Sequence, residues 1–333
     1  MPRQARIDAP GALHHIIVRG IERRKIFDDD KDRYDFLSRL GDILVQTQTA
    51  CYAWALIPNH FHLLLRTGAY PVATVMRRLL TGHAMGYNRR HKRHGHLFQN
   101  RYKSILCQEE TYFLDLVRYI HLNPLRTGLV KDLGALGQFA FSGHGVIMGK
   151  HQQCWQHSDQ VLSRFGKRVK AARSRYQAFV AEGVGQGRRA DLTGGGLIRS
   201  TGGWAVVKAM RKANVHVKSD ERILGDGDFV AHILEYAGEA LEKKYALRAE
   251  GMDLLRIAEK VAELCDMPVE ALWREGRYRS LVKARSLLCF WAVRELGVSM
   301  TSLARKLNIS TTAVSKSVIR GAEIATKEGY TLI

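Results

Sequence analysis

The sequence predicts an α+β fold followed by a mainly helical C-terminal region. Predicted strands and helices alternate over the first 130 residues, glycine is concentrated at 183–203, and helical spacing of apolar residues dominates after that segment. A few strands covered by helices allow such alternating elements to bury their apolar faces in one layered unit. The length of 333 residues is sufficient for about two domains.

The elements of the N-terminal part follow from residue type and periodicity. Strands are predicted for apolar segments at 14–19, 51–57 and 60–66, and a further extended segment at 95–107. Helices are predicted where apolar residues recur at helical spacing, at 31–46, 72–90 and 109–122. The third helix is expected to end before Pro124, because the residue before a proline avoids the helical conformation.

Helices also account for most of the sequence after the glycine-rich segment. The same spacing predicts helices at 219–245, 252–265, 268–272 and 280–296. The glycine-rich segment is then a natural linker between two domains.

The segment 298–321 has the pattern of a helix-turn-helix. Ser299 is suited to cap a first helix that buries Leu303, and residues 308–310 supply a tight turn. A second helix leaves short polar and cationic residues on its outer side, where they suit base edges and phosphates in the major groove. The predicted DNA contacts are Thr311, Thr312, Ser315 and Lys316. The alternative is a plain helical hairpin in a bundle.

The charge balance indicates a polyanionic partner. The chain has 52 Lys and Arg against 32 Asp and Glu, a formal net charge of +20, and basic surface gives affinity for nucleic acid through counterion release. A merely basic protein and a membrane-surface protein are the alternatives. No apolar run approaches the ~20 residues that cross a bilayer, and the N-terminus lacks a secretory signal. We therefore expect a cytoplasmic protein without a membrane partner.

The five cysteines lie far apart in the sequence, with no C-x-x-C pair. This spacing argues against a zinc knuckle and against a disulfide framework.

Two histidines on one predicted strand are candidate metal ligands. Side chains alternate between the faces of a strand, so His60 and His62 point to one side and Phe61 to the other. Two imidazoles on one face are able to share a divalent cation. The alternative is a pair of partly buried histidines on a sheet face, because histidine has many structural roles.

A tyrosine and an asparagine on the third predicted helix add a nucleophile and a further ligand. Tyr119 and Asn123 are four residues apart and project from one helical face. Asn123 offers a carbonyl oxygen to a hard cation, and the Tyr119 phenol is able to form a covalent intermediate. A phenol with a pKa near 10 needs a phosphate whose charge is neutralised by a metal, for which Mg²⁺ or Mn²⁺ is expected. The alternative is a buried aromatic residue and a helix-capping asparagine.

These motifs occur together in an order that resembles a known family. The runs VRGIERRKIF at 18–27, PNHFHLLL at 58–65 and YIHLNPLR at 119–126 are similar to those of the HUH single-tyrosine transposases, and most similar to the REP-associated tyrosine transposases. The resemblance covers about the first 140 residues. The C-terminal helices and helix-turn-helix resemble the DNA-binding domain of the bacterial replication initiator.

The resemblance implies a fold and a set of catalytic roles. The implied fold is a ferredoxin-like antiparallel sheet with helices on both faces. His60, His62 and Asn123 are implied to bind the metal, while Tyr119 forms a 5′-phosphotyrosyl link with single-stranded DNA and releases a 3′-hydroxyl. The implied domains are a catalytic domain at 1–140, a connecting segment with a glycine-rich linker at 141–203 and a helical DNA-binding region at 204–333.

Basic and aromatic residues are expected to line the cleft of such a domain. Arg101 and Lys103 are predicted to contact phosphates, and Phe98 or Tyr102 to stack on an unpaired base. The alternative is a solvated basic face over a core strand.

The predicted function is that of a transposase, a metal-dependent endonuclease and strand transferase acting on single-stranded DNA near REP-like hairpins. Duplex DNA is a further predicted partner of the C-terminal region, and the protein is expected to be a monomer or a homodimer. Two alternatives stay open: a non-catalytic DNA-binding regulator that uses the helix-turn-helix, and a metal nuclease with water as nucleophile.

Overall fold

The computed structural model describes residue 7 and residues 11–68, 70–187, 189–194, 220–249, 251–276 and 278–332. The chain divides into two compact units, Met1–Ile233 and Leu234–Ile333. The predicted α+β fold with a mainly helical C-terminal region is confirmed. The domain boundaries at 140 and 203 stay predictions. Part of the glycine-rich segment, residue 188 and residues 195–203, lies outside the described residues.

A five-stranded mixed sheet forms the centre of the first unit. Its strands, in the spatial order β2-β3-β1-β4-β5, are β1 (Leu13–Arg19), β2 (Ala50–Ile57), β3 (His60–Arg66), β4 (Lys103–Cys107) and β5 (Ile223–Leu224). The first four pair antiparallel, in the order of a ferredoxin-like sheet. The fifth pairs parallel with β4, so the sheet is not wholly antiparallel as expected. Two residues are too few to give a periodic signal in the sequence.

Three long helices cover the two faces of this sheet, namely α1 (Asp30–Thr47), α2 (Val72–Arg90) and α3 (Glu109–His121). One core contains Phe36 of α1, Leu79 of α2 and Phe61 of β3. The other core contains Ile120 of α3 and Leu64 of β3. Helices on both faces, as the family resemblance implied, are therefore present.

The chain stays helical where the sequence predicted a helix end. After α3, Leu122 adopts helical dihedral angles of φ −80° and ψ −8°, and α4 (Asn123–Arg126) follows directly. The proline is tolerated because it lies in the first turn of α4. Asn123 therefore keeps its helical spacing from Tyr119.

Four further helices of the first unit had no counterpart in the sequence prediction. They are α5 (Leu133–Gln138), α6 (Gly143–Ile147), α7 (Ser158–Ser163) and α8 (Val169–Glu182). The first three have five or six residues, which is too short for clear periodicity. A 3-10 turn at Ala190–Thr193 follows them.

The second unit is helical and has its own core. Its helices are α9 (Gly227–Ala249), within which the unit begins, α10 (Leu254–Leu264), α11 (Arg279–Arg294), α12 (Met300–Lys306) and α13 (Thr311–Glu328). Helices α11 and α13 approach closely at a glycine, because a Cβ atom at Gly321 of α13 would lie 2.0 Å from the Ser286 carbonyl oxygen of α11.

The predicted helical elements at 298–321 are present. The Ser299 hydroxyl accepts a hydrogen bond from the Ser302 backbone N–H, and that of Ser310 accepts one from Ala313. Asn308 adopts a left-handed φ of 50° in the turn between the two helices. Among the described residues, no helix is both long and apolar enough to cross a bilayer.

Candidate functional site

A cavity of about 720 Å³ brings together most of the residues that the sequence singled out in the first unit. His60, His62, Tyr119 and Asn123 line it, together with Arg101 and Lys103. Its other lining residues are Ile17, Arg19, Gln99, Asn100, Arg126, Thr127, Gly187 and Thr193. The strand pair β1–β3 and the end of α3 thus meet at one site.

Strand alternation places the two histidines, as predicted. Phe61 is buried in the core beneath α1 and α2, whereas His60 and His62 project to the opposite face, which α3 covers. The centroids of the two imidazole rings are 5.3 Å apart. On the neighbouring strand, Ile17 pairs with His62 and Arg19 with His60.

A chain of hydrogen bonds fixes the tautomer of His62. His15 Nδ1 lies 3.0 Å from the Leu192 carbonyl oxygen, which can only accept, so Nδ1 carries the hydrogen. Burial lowers the pKa of His15 to about 4, so at pH 7 this ring is neutral and its Nε2 accepts. His62 Nδ1 lies 2.9 Å from that Nε2 and therefore donates to it. The Nε2 atom of His62 is left with a lone pair.

His60 is also held through its Nδ1 atom. Its Nδ1 atom donates to Asn59 Oδ1 over 2.7 Å, and the Asn59 amide is oriented by its own donation to the Arg23 carbonyl oxygen. Burial, with a smaller contribution from Arg19, lowers the pKa of His60 to about 4. Burial also holds the pKa of His62 well below its usual value. Both histidines are therefore neutral at pH 7 and present Nε2 lone pairs.

Helix α3 places Tyr119 and Asn123 beside these histidines. Tyr119 is 8% exposed and lies in the second core, with its ring centroid 5.8 Å from that of His62. Asn123 Nδ2 donates to the Tyr119 carbonyl oxygen over 2.9 Å. This bond turns the amide nitrogen toward the helix, and Oδ1 of Asn123 accepts no hydrogen bond from the described residues.

These donor atoms fit a divalent metal ion. Two imidazole nitrogens with lone pairs and one amide oxygen form a neutral nitrogen and oxygen donor set, which leaves coordination positions for phosphate oxygens. Each imidazole is held at Nδ1 by a neighbour, as metal-binding histidines require. His60, His62 and Asn123 are thus the residues suited to hold the ion.

The charged residues at the cavity suit an anion. Arg19, Arg101, Lys103 and Arg126 line it, and no Asp or Glu is present among its described lining residues. Lys103 Nζ donates to the Thr193 carbonyl oxygen over 2.6 Å. Thr193, at the end of the 3-10 turn Ala190–Thr193, therefore lies at the cavity wall. Such a concentration of positive charge favours phosphate groups.

Tyr102 lies on the face of the sheet opposite the cavity, which does not support its expected stacking on a base. Tyr102 is 8% exposed and belongs to the core beneath α1 and α2. Phe98 is partly buried and packs against the same core. Within 95–107, only Lys103–Cys107 forms a regular strand, and the aromatic residues before it face inward.

The predicted DNA contacts of the C-terminal region lie at the start of α13. Thr311, Thr312 and Lys316 are exposed, and Ser315 is half-buried. Their role in DNA binding stays a prediction.

Among the residues at the site that were not singled out from the sequence, His15 and Arg126 lie beside the proposed ligands and nucleophile. His15 follows the same alternation as Ile17 and Arg19 in HHIIVR, but only the β1–β3 register shows that it reaches His62. Arg126 lies seven residues after Tyr119, two helical turns away. This spacing is the feature of the sequence that places Arg126 on the same helical side as Tyr119.

A second group with metal-ligand chemistry consists of Asp28, Asp32 and His91. Arg90 Nη1 lies 2.5 Å from Asp32 and the same guanidinium also pairs with Asp29. Because an arginine already neutralises this acidic group, we assign no metal to it.

Part of the first unit matches a known protein family. Residues 10–123 match the family model described as "Transposase IS200 like". A solved structure described as "Structure of the REP associates tyrosine transposase bound to a REP hairpin" shares 16% identity, with a TM-score of 0.38, over 47% of this chain and 98% of that chain. Likeness at this level does not establish a common fold. None of the curated proteins compared with the chain matches it significantly. The segment that contains His60, His62, Tyr119 and Asn123 is thus similar to the IS200-like transposases.

Proposed function

We propose that this protein is a transposase that cleaves and rejoins single-stranded DNA through a covalent link to Tyr119. The family match over residues 10–123 supports the transposase class. The observation that carries the proposal is the cavity in which a tyrosine, two histidine Nε2 lone pairs and an amide oxygen meet among four cations.

The protein's own residues have defined parts in this reaction. Arg19, Arg101 and Lys103 attract the DNA backbone to the cavity, and His60, His62 and Asn123 would hold the metal. When bound, Mg²⁺ or Mn²⁺ would supply positive charge that offsets the charge of the phosphate. The Tyr119 phenol oxygen attacks phosphorus and the strand on the other side leaves with a free 3′-hydroxyl. The phosphotyrosyl bond conserves the energy needed for rejoining.

The proposed substrate is single-stranded DNA next to a hairpin. The resemblance to REP-associated tyrosine transposases implies this substrate class. We further propose that Thr311, Thr312, Ser315 and Lys316 of α13 bind duplex DNA, such as a hairpin stem, on the C-terminal unit.

The test is formation of a denaturation-resistant adduct between the protein and labelled hairpin DNA with Mg²⁺ or Mn²⁺. We expect the adduct with the wild type and with Tyr112→Phe, a matched control on the same helix that does not line the cavity. Tyr119→Phe should abolish the adduct and retain DNA binding. His60→Ala or His62→Ala should reduce adduct formation far more than DNA binding.

Other outcomes identify the alternatives. Cleavage that persists in Tyr119→Phe without an adduct would assign the protein to the metal nucleases that use water. Binding without cleavage under either metal would assign it to the DNA-binding regulators.

A further inference from the structure

Arg126 has an unusual environment for a partly buried cation. Its guanidinium carbon lies 5.3 Å from the centroid of the Tyr119 ring, and its Nη2 atom donates to the Gly183 carbonyl oxygen over 3.3 Å. Its Nε and Nη1 atoms are buried and have no hydrogen-bond partner among the described residues. Buried N–H groups of charged residues are nearly always paired, because leaving them unpaired is costly.

The two arginines whose charges act on Arg126 are each paired with a carboxylate of their own. Arg118 pairs with Asp115 on α3, and Arg189 pairs with Asp191. Burial lowers the pKa of Arg126, and the positive charges of Arg189 and Arg118 act in the same direction, whereas Tyr119 opposes them. The charge of Arg126 thus lacks a counter-ion among the described residues around it.

The chemistry of the cavity indicates which anion fits. Arg126 lines the cavity together with Tyr119 and Asn123, and an entering phosphate supplies both a negative charge and hydrogen-bond acceptors. A planar guanidinium is suited to two oxygens of one phosphate.

We propose that Arg126 is a catalytic residue that binds the phosphodiester attacked by Tyr119 and stabilises the charge that develops on its oxygens. This inference rests on the proposed function. In that step the bond between the Tyr119 phenol oxygen and phosphorus forms while the bond between phosphorus and the 3′ oxygen breaks. The phenol proton passes to water, and the departing 3′ oxygen takes a proton from water. Arg126 remains protonated throughout and acts through its charge and N–H groups.

The decisive experiment compares two substrates in the full chain. Removal of one such donor lowers rates about 100-fold in other enzymes, so Arg126→Gln should slow adduct formation about 100-fold on ordinary DNA. A methylphosphonate at the cleaved position has lost the oxygen charge that Arg126 stabilises. On that substrate Arg126→Gln should be slowed far less relative to wild type, and Arg126→Lys should be intermediate on ordinary DNA. Equal slowing on both substrates would overturn the proposal.

Arg66→Gln provides the matched control. Arg66 also lies over a tyrosine ring, 5.1 Å from the centroid of Tyr52, but it does not line the cavity. This variant should leave adduct formation on both substrates unchanged. Because Arg126→Gln removes an uncompensated buried charge, its Tm should equal or exceed that of the wild type. A large fall in Tm with an unchanged adduct rate would assign Arg126 to the fold instead.

A second readout separates this proposal from the proposed function. Binding of inorganic phosphate in EDTA, followed by ³¹P NMR, should weaken in Arg126→Gln and not in Arg66→Gln. If the wild type forms no adduct, the proposed function fails, while the phosphate titration still tests the anion site. Unchanged phosphate binding in Arg126→Gln would contradict the anion site itself.

Discussion

The histidines of the site are held through Nδ1, and this decides what their Nε2 atoms are able to bind. Asn59 holds His60, and His15 holds His62 while His15 itself is anchored on the Leu192 carbonyl oxygen. Leu192 belongs to the 3-10 turn that follows α8, far away in sequence. The tautomer of one proposed metal ligand therefore depends on a backbone group that no local pattern connects to it.

His15→Ala should weaken metal binding without altering a ligand. The His62 Nδ1–H loses its acceptor, so the ring orientation and tautomer are no longer fixed, and loss of such a partner costs about 10–100-fold in metal affinity. Mn²⁺ titration followed by electron paramagnetic resonance measures this affinity. His14→Ala is the control, because His14 is an equally buried neighbour that contacts Ser104 instead. Equal affinities of wild type and His15→Ala would contradict this role.

At the scale of elements, the site is assembled from a strand pair and a helix end. Antiparallel pairing of β1 with β3 sets His15, His62 and Arg19 around one face, and the packing of α3 on that face brings Tyr119 within 5.8 Å of His62, measured between ring centroids. The continuous helical path through Leu122 keeps Asn123 in hydrogen-bond contact with the Tyr119 carbonyl oxygen. In the second unit, α13 is predicted to bind duplex DNA, a role separate from that of the cavity.

Lys316→Ala on α13 should weaken binding of the full chain to duplex DNA. Loss of one phosphate contact means that about one counterion fewer is released on binding. The slope of log K against log salt should therefore become less steep by about 1. Fluorescence anisotropy at several salt concentrations measures both quantities. Lys327→Ala is the control, since Lys327 is exposed near the other end of the same helix. The same reduction for both variants would mean that α13 has no specific DNA-binding end.

At the scale of the whole molecule, a chain with a net charge of +20 keeps several histidines neutral in its interior. His14 and His144 have pKa values of about 4 because burial disfavours the charged imidazolium. Burial likewise holds the pKa of His121 well below its usual value, and the adjacent His144 contributes. Nδ1 atoms of His121 and His144 both contact the hydroxyl of buried Tyr176, at 2.7 and 2.9 Å. Together these residues couple stability to pH.

The free energy of unfolding should fall as the pH decreases from 6.5 toward 4. Above pH 6.5 these histidines are neutral in both states, whereas between pH 6.5 and 4 the unfolded chain binds protons that the folded protein excludes. At pH 5 the loss is on the order of 2 kcal/mol for each such histidine. Urea unfolding at pH 7.5 and pH 5 measures it.

Two variants test the origin of this pH dependence. His144→Asn removes a buried titrating group and should make the dependence shallower. His94→Asn replaces an exposed histidine and should leave it unchanged. Stability that stays constant from pH 7.5 to pH 5 would contradict the buried neutral state.

The sequence by itself determined the elements with clear periodicity and the residues that share one element. Alternation in β3 placed His60 and His62 on one face, and helical spacing placed Tyr119 and Asn123 together, because both periods are properties of the local backbone. Only the tertiary structure decided the contacts between elements: the His15 link to His62, the position of Arg126 over Tyr119, the burial of Tyr102 and the fifth strand. Strand register and helix packing are set by long-range burial, which leaves no periodic signal in a single segment.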